Sequence, residues 1–320
     1  MTSGSVTGSV RLLRDAVREA TRELAEAGVE SAEFDAVALA ASVLKTTTSE
    51  VHKMMVMGAP VPAGLDDLVA ERARRVPLQH LTGRQGFRRL ELSVGPGVFV
   101  PRFETELVAG LAIAFLAKPR DGAAESGANL GTVRRTIPRF GALDPAPSLG
   151  LRVVDLCTGS GAIALAIKDE VPQAEVHGVE LSDLAHAWAI RNRDDLGLDV
   201  DIRLGDATVA FPELEAGVDV VVSNPPYIPV GAVPNDPEVR EHDPQVALYG
   251  GSADGLRIPL EVAARASVLL RPGGFFVMEH ADVQGDSLSA ALRVTGRWED
   301  IQDHPDLNGR PRAVTAIRAR

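Results

Sequence analysis

Apolar residues recur along this chain with three different spacings, and each predicts a different kind of element. Over residues 11–75 they return every three or four positions, the spacing that lines one face of a helix. Leu12, Leu13, Ala16, Val17, Ala20, Leu24 and Ala27 mark a helix over 11–27, with Gly28 as its stop. Phe34, Val37, Ala38, Ala41 and Leu44 mark a second over 31–45, and two more follow over 48–57 and 65–75. Met54, Met55 and Met57 read as a core seam of this cluster, because methionine fills irregular gaps. Over 86–100 apolar and polar positions alternate through Phe87, Leu90, Leu92 and Val94, which predicts a β-hairpin turning at Gly95-Pro96-Gly97. A helix over 104–117 follows. Residues 118–150 lose all periodicity and carry Pro119, Pro138, Pro145 and Pro147 among scattered glycines. So long a loop reads as a flexible insertion. From Leu151 onward short solid apolar runs alternate with helical stretches. That is the mark of parallel strands buried on both faces and joined by right-handed helical crossovers. The tail over 298–318 supplies two further strands.

Four of these strands deliver polar groups at their carboxyl ends, where open α/β sheets bind ligands. The first carries Asp155 and runs into Cys157-Thr158-Gly159-Ser160-Gly161, after which a helix begins at Ala162. Strand, glycine turn and helix are the context of a nucleotide-binding fingerprint, yet no third glycine follows before Gly178. The turn therefore suits a ligand that needs close backbone approach but brings no diphosphate, such as an adenosyl group. The second strand ends in Glu180, a carboxylate able to accept from both ribose hydroxyls. The third ends in Gly205-Asp206, placing Asp206 to accept from an exocyclic amine such as that of adenine. The fourth, over 218–223, runs into Asn224-Pro225-Pro226-Tyr227. Two prolines stiffen this turn and fix the aim of the Asn224 side chain. A carboxamide offers one acceptor and two donors, which suits gripping another amide or an amino group.

Composition narrows the classes. The chain has 320 residues, of which 45% are hydrophobic, enough for two domains with cores. Its formal net charge of −11 argues against a general nucleic-acid binder. The single cysteine, Cys157, excludes an internal disulfide and a four-cysteine zinc site, and it reads as a small residue filling a tight turn. The histidines show no metal-ligand spacing, so no metal is expected. No 18-residue apolar run exists, and the Ser/Gly/Thr-rich start lacks an apolar signal core. Residues 1–8 are expected to be disordered and the protein to be cytoplasmic. Arg72, Arg74, Arg75, Arg84, Arg88 and Arg89 form a local basic cluster, either a solvated surface or a dock for an acidic partner.

These motifs together resemble the class I methyltransferases that use S-adenosylmethionine. More narrowly, the chain resembles the HemK/PrmC-type family that methylates the glutamine amide of peptide-chain release factors. The resemblance is carried by residues 155–161 and by Asn224-Pro225-Pro226-Tyr227. It extends to Asp243-Pro244-Gln245-Val246-Ala247-Leu248-Tyr249-Gly250-Gly251, Asp254-Gly255-Leu256, residues 77–83, residues 100–106 and residues 306–310. It spans about residues 10–318. The chain departs from the family in having Cys157 for a common Gly, Glu180 for a common Asp, Phe103 for the second Pro of the Pro-Arg-Pro-Glu-Thr-Glu pattern, and Ala207 where relatives can carry an aromatic beside the adenine.

The resemblance implies an α/β, Rossmann-like methyltransferase domain over 102–320. Its seven-stranded sheet is mostly parallel with one antiparallel strand, and 118–150 is inserted in it. A β-hairpin linker over 85–101 joins it to an N-terminal helical-bundle domain over 1–84. It implies S-adenosylmethionine held by Asp155, Cys157, Thr158, Gly159, Ser160, Gly161, Glu180, Asp206, Ala207 and Asn224. Catalysis and substrate binding fall to Asn224, Pro225, Pro226 and Tyr227. The Asn224 side-chain oxygen and the Pro225 carbonyl would hold the amide nitrogen, and Tyr227 would wall the pocket. Arg102 and Glu104 join the substrate-binding set, orienting the hairpin or simply starting a helix. The partner implied is a release factor, with no stable nucleic-acid binding, no membrane and a monomeric enzyme. A nucleic-acid adenine or guanine amino methyltransferase is the alternative, since the same acceptor geometry serves exocyclic amines; such an enzyme usually carries a basic target domain. A non-catalytic cofactor-binding protein is the third reading, opposed by an intact Asn224 motif.

Overall fold

The computed structural model describes residues 11–118 and 150–320; the start, expected to be disordered, and nearly all of the expected insertion over 118–150 lie outside the described residues. In chain order the helices α1 Leu13–Glu26, α2 Ala32–Leu44, α3 Thr48–Val56, α4 Leu65–Ala73 and α5 Leu78–Thr82 come first. The strands β1 Arg84–Phe87 and β2 Leu90–Ser93 and the helix α6 Thr105–Leu116 follow. Then come β3 Arg152–Leu156, α7 Ala162–Glu170, β4 Glu175–Glu180, α8 Asp183–Leu196, β5 Val200–Leu204 and β6 Val218–Ser223. The chain closes with α9 Pro237–His242, α10 Arg257–Leu269, β7 Leu270–Glu279, α11 Gly285–Val294, β8 Trp298–Pro305 and β9 Pro311–Arg318. No described helix is long and apolar enough to cross a membrane.

Two compact units emerge. The first holds the described residues up to Gln85 together with Val94–Pro96 and Val233–Asp243; the second holds the rest. The helical unit packs Leu13, Val17, Leu24, Leu39, Val51 and Leu65 into one core. Its α2 differs from the expected stripe. Val37 and Ala41 are buried as expected, but Phe34 is 63% exposed, and the helix buries Ala36, Leu39 and Ala40 beside them. The cause is Asp35, which faces inward and accepts from Arg72 Nε at 2.7 Å. Arg72 Nη1 also donates to Glu238 of α9 at 2.7 Å, and Arg75 grips Glu238 through Nε at 2.8 Å and Nη2 at 2.6 Å. Two members of the expected basic cluster are thus spent on a buried ion network, and Arg72 is neither solvated nor free to dock a partner. Met57 is also corrected, being 84% exposed while Met54 and Met55 pack on the core.

In the sheet unit the strand order is β5-β4-β3-β6-β7-β9-β8, with β9 antiparallel to both neighbours and every other pairing parallel. Successive residues of the central strands alternate between two cores, as the two-residue pleat requires. Val153, Val220, Val222, Phe275 and Val277 face the layer of α6, α7 and α8. Val154, Val221, Phe276 and Met278 face α10 and α11. The hairpin turns earlier than expected. Arg88, at φ 52°, makes the corner between β1 and β2, and Gly95-Pro96-Gly97 is not its tip. Acids hold that corner: Glu106 Oε1 accepts from Arg88 N at 2.9 Å, and Glu170 pairs with the Arg88 guanidinium. The tertiary partners outweigh the Gly-Pro-Gly turn signal.

Candidate functional site

The carboxyl ends of β3, β4, β5 and β6 gather the expected cofactor residues. Asp155 is fully buried on β3. Its Oδ2 accepts from Thr158 Oγ1 at 2.6 Å and from Ala164 N at 3.2 Å, tying the glycine turn to the start of α7. Burial pushes its carboxyl up to about 7, against the pull of those two bonds. Its Oδ1 has no hydrogen-bond partner. Cys157 has φ 68°, the left-handed region that favours glycine, and burial pushes its thiol well above the usual range. Gly159 (φ 58°) has open space where a Cβ would stand, whereas a Cβ on Gly161 (φ 85°) would lie 2.9 Å from Leu165 Cδ1. Asn192 in α8 went unnoticed in the sequence. It is 1% exposed, donates to Ser160 O at 2.9 Å, and holds Ser93 through both its amide ends, so it fastens the turn to β2.

Glu180 ends β4, with Oε2 accepting from Gly159 N at 2.8 Å and Oε1 from Ser182 N at 2.8 Å. Asp206 is exposed after β5, its Oδ1 accepting from Thr208 N and Oγ1 at 2.8 Å each. Ala207 beside it is buried. Three carboxylates at three adjacent strand ends would repel a diphosphate and attract a sulfonium and an ammonium. The orphaned Asp155 Oδ1 and the open face of Gly159 fit the same cationic, phosphate-free nucleoside. Among the described residues no three acids, histidines or cysteines are grouped to hold a metal ion.

Asn224 follows β6 and is half-buried, and Pro225 behind it is buried. Asn224 Nδ2 donates to Thr105 Oγ1 at 3.1 Å. Tyr227 Oη donates to Glu279 Oε1 at 3.2 Å, and burial with that acid beside it pushes the phenol well above its usual range. Burial likewise pushes Glu279, at the end of β7, up to about 7, against the Thr105 hydroxyl, the Arg312 charge and the Tyr227 bond. Arg102 lies over the Phe99 ring with Cζ 5.2 Å from its centroid, and Glu104 caps α6 without a side-chain bond.

Downstream, the turn is clamped. Gln284 Nε2 donates to Tyr227 O at 2.9 Å and to Asp254 O at 2.8 Å, and Ile228 N donates to Leu248 O at 2.7 Å. A Cβ on Gly250 would lie 1.8 Å from Gly255 O, and one on Gly255 would lie 2.1 Å from Tyr227 O. The Gly-Gly and Asp-Gly steps therefore let two backbone passes touch behind the motif. Thr105, Glu279 and Gln284 were not singled out in the sequence. The available signal for Glu279 was one carboxylate closing an otherwise apolar strand.

Comparison with known proteins identifies the family. A model described as the PrmC N-terminal domain matches residues 15–83, and one described as the methyltransferase small domain matches 142–235. A release factor glutamine methyltransferase of Streptomyces coelicolor is 46% identical, covering 97% of this chain and 99% of its own. One from Bifidobacterium longum is 38% identical over 96% and 99% respectively. A 4-amino-L-phenylalanine/4-methylamino-L-phenylalanine methyltransferase of Streptomyces pristinaespiralis is 36% identical over 98% and 97%. By identity sustained across both units, the chain belongs to the release factor glutamine methyltransferase family.

Proposed function

We propose that this chain transfers a methyl group from S-adenosylmethionine to the side-chain amide nitrogen of the glutamine in a release factor's Gly-Gly-Gln motif. The observation that carries the reading is the stiff turn after β6, which fixes Asn224 through Thr105 at the row of strand-end carboxylates. The cofactor, when bound, supplies an electrophilic methyl group on a sulfonium. Thr158, Gly159, Ser160 and Gly161 approach its methionine part and ribose, Cys157 lines the same turn, and Asp155 backs it. Glu180 takes the ribose hydroxyls, and Asp206 with Ala207 faces the adenine.

The protein's task is the nucleophile, because an amide lone pair is delocalised into its carbonyl. Asn224 Oδ1 and the Pro225 carbonyl accept from the two amide N–H groups, aim the nitrogen and stabilise positive charge as it grows there. Orientation of this kind contributes up to about 7–11 kcal/mol in the best intramolecular models. Pro226 keeps the turn rigid and Tyr227 walls the pocket, with its phenol held by Glu279. Arg102 and Glu104 orient the segment entering α6 beside the substrate. No strong base is needed before transfer, since the proton can leave afterwards. The enzyme acts in the cytoplasm as a monomer.

The same pair of acceptors would serve an arylamine, the substrate type named for the S. pristinaespiralis relative, or a nucleic-acid base. Mass spectrometry after incubation with cofactor and either a Gly-Gly-Gln release factor, 4-amino-L-phenylalanine or duplex DNA separates the three. Methylated glutamine is expected, lost in Asn224→Ala while cofactor affinity stays. Undiminished turnover in Asn224→Ala would reject the role given to this residue, and methylation of the arylamine alone would reject the substrate.

A further inference from the structure

Gln284 stands just before α11, is 3% exposed and has no part in the reaction as written. Its carboxamide is spent on three backbone partners. Oε1 accepts from Ala281 N at 2.9 Å, while Nε2 donates to Tyr227 O at 2.9 Å and to Asp254 O at 2.8 Å. A backbone N–H only donates and a backbone carbonyl only accepts, so these partners fix which end of the carboxamide is which. Turning it over would lose all three bonds in a buried place, where each unmade bond is costly.

The side chain is anchored from behind. Gln284 N donates to Ala281 O at 2.8 Å, which closes the turn from β7 into α11, and Leu288 N donates to Gln284 O at 2.9 Å. His280 Nδ1 donates to the same Ala281 carbonyl at 2.8 Å. A Cβ on Gly285 would lie 2.0 Å from Asp303 Oδ2, so the start of α11 sits directly on β8. The motif turn in front is pinned at both ends. Upstream, Ser223 pairs with Leu156 of β3 and Met278 of β7. Downstream, Gln284 takes the Tyr227 carbonyl and Glu279 takes the phenol at 3.2 Å. Between those ends the rings of Pro225 and Pro226 lock two backbone torsions. The Pro225 carbonyl has little freedom left once Tyr227 is fixed.

We propose that Gln284 is a positioning residue: by holding the Tyr227 carbonyl it sets where the Pro225 carbonyl points, and so the second of the two acceptors offered to the incoming nitrogen. The consequence for turnover rests on the reaction proposed above; the anchoring of Tyr227 does not.

The test uses the full chain with S-adenosylhomocysteine bound, and two variants. Gln284→Met keeps the volume and removes all three bonds. Gln284→Glu keeps the bond from Ala281 N but meets both carbonyls with an oxygen in place of the NH2. The chain has two tyrosines, Tyr227 and Tyr249, so a carbon-13 label in the tyrosine carbonyl gives two nuclear magnetic resonance signals, assigned with Tyr249→Phe. The Tyr227 signal should move in both Gln284 variants. The second readout is release-factor methylation, without S-adenosylhomocysteine. kcat per folded molecule should fall about tenfold to a hundredfold, with KM for the methyl donor unchanged. A purely structural residue would lower the folded fraction and leave kcat per folded molecule alone. Solvent exchange of the Gln284 NH2 protons in the wild-type chain needs no variant to fold, and both protons should be protected. An unmoved Tyr227 signal, full kcat in a folded variant, or unprotected NH2 protons in wild type would overturn the proposal. A wild-type chain that leaves release factor unmethylated would refute the substrate instead, and the tyrosine signal would still decide the anchoring.

Discussion

Glu238 in the helical unit and Glu279 in the sheet unit are both carboxylates held out of water, yet their acidities move in opposite directions. Burial pushes Glu238 up, but its bonds with Asp236, Arg75 and Arg72 outweigh this and hold it well below the usual range. Glu279 has a phenol, a hydroxyl nearby and the distant pull of Arg312, and burial wins. Asp155 repeats the second pattern with only hydroxyl and amide donors. The difference teaches where the molecule leaves polar groups short. In the helical unit Asp35 and Glu238 are met by two arginines. The sheet unit leaves Asp155 Oδ1 and Glu279 Oε2 without partners at the strand ends where a ligand would sit. Perturbed acids gathered in such a place are a mark of function, whereas a matched ion network is a mark of structure.

The comparison breaks most easily at Arg72. Arg72→Met would leave Asp35 without its arginine and Glu238 with Arg75 alone, and should cost about 3–5 kcal/mol of stability. Urea denaturation followed by circular dichroism would read it, with turnover per folded molecule unchanged; a neutral variant would mean that the network is not structural. The next effect is on pH dependence. Asp155 and Glu279 bind a proton more tightly folded than unfolded, so the folded chain carries the extra protons between their ordinary values of 3.8 and 4.5 and about 7. Stability should therefore fall as pH rises through that window, by on the order of 3 kcal/mol for Glu279, and level off above it. Glu238 has the opposite sign: its contribution is full above its ordinary 4.5, begins to be lost as pH falls below that value and is gone only below its depressed folded value. Denaturation midpoints of wild type and Glu279→Gln across pH 4–9 would sharpen the contrast. A variant that keeps the full wild-type slope would remove Glu279 from it.

Smaller effects probe the backbone around the short-changed acids. Gly255→Ala places a Cβ 2.1 Å from Tyr227 O at φ 74°, so the clamp must open. A stability loss of about 1–3 kcal/mol is expected, together with a drop in kcat larger than any change in cofactor affinity. A fully active variant would show that the clamp does not set the motif. Cys157→Gly should raise the denaturation midpoint slightly, by up to about 1 kcal/mol, because relief of a left-handed side chain slightly exceeds the added freedom of glycine. A lower midpoint would show that the thiol's packing in the turn matters more than its backbone angle.

Much of this was legible in the sequence, for a physical reason. Helical and two-residue periods are local, so α1 to α4 and the parallel strands were read close to their bounds, and polar residues closing apolar strands pointed to Glu180, Asp206 and Asn224. What escaped depended on partners far along the chain. The rotation of α2 makes sense only with Arg72 and Glu238 opposite Asp35. The hairpin corner at Arg88 makes sense only with Glu106 and Glu170. Thr105 lay in view inside a recognised motif, and Glu279 at the end of a recognised strand. Their relation to Asn224 needs α6 and the pairing of β6 with β7.

The helical unit is discontinuous, because Val233–Asp243 belongs to it although that stretch follows the sheet strand β6. A gene fragment stopping at Gln85 would therefore encode four principal helices without the glutamate that neutralises Arg72 and Arg75. Grafting this unit onto another catalytic body would require carrying three chain segments rather than one. Recombination by simple end-to-end fusion should accordingly yield a weakened module unless it also carries the later strip.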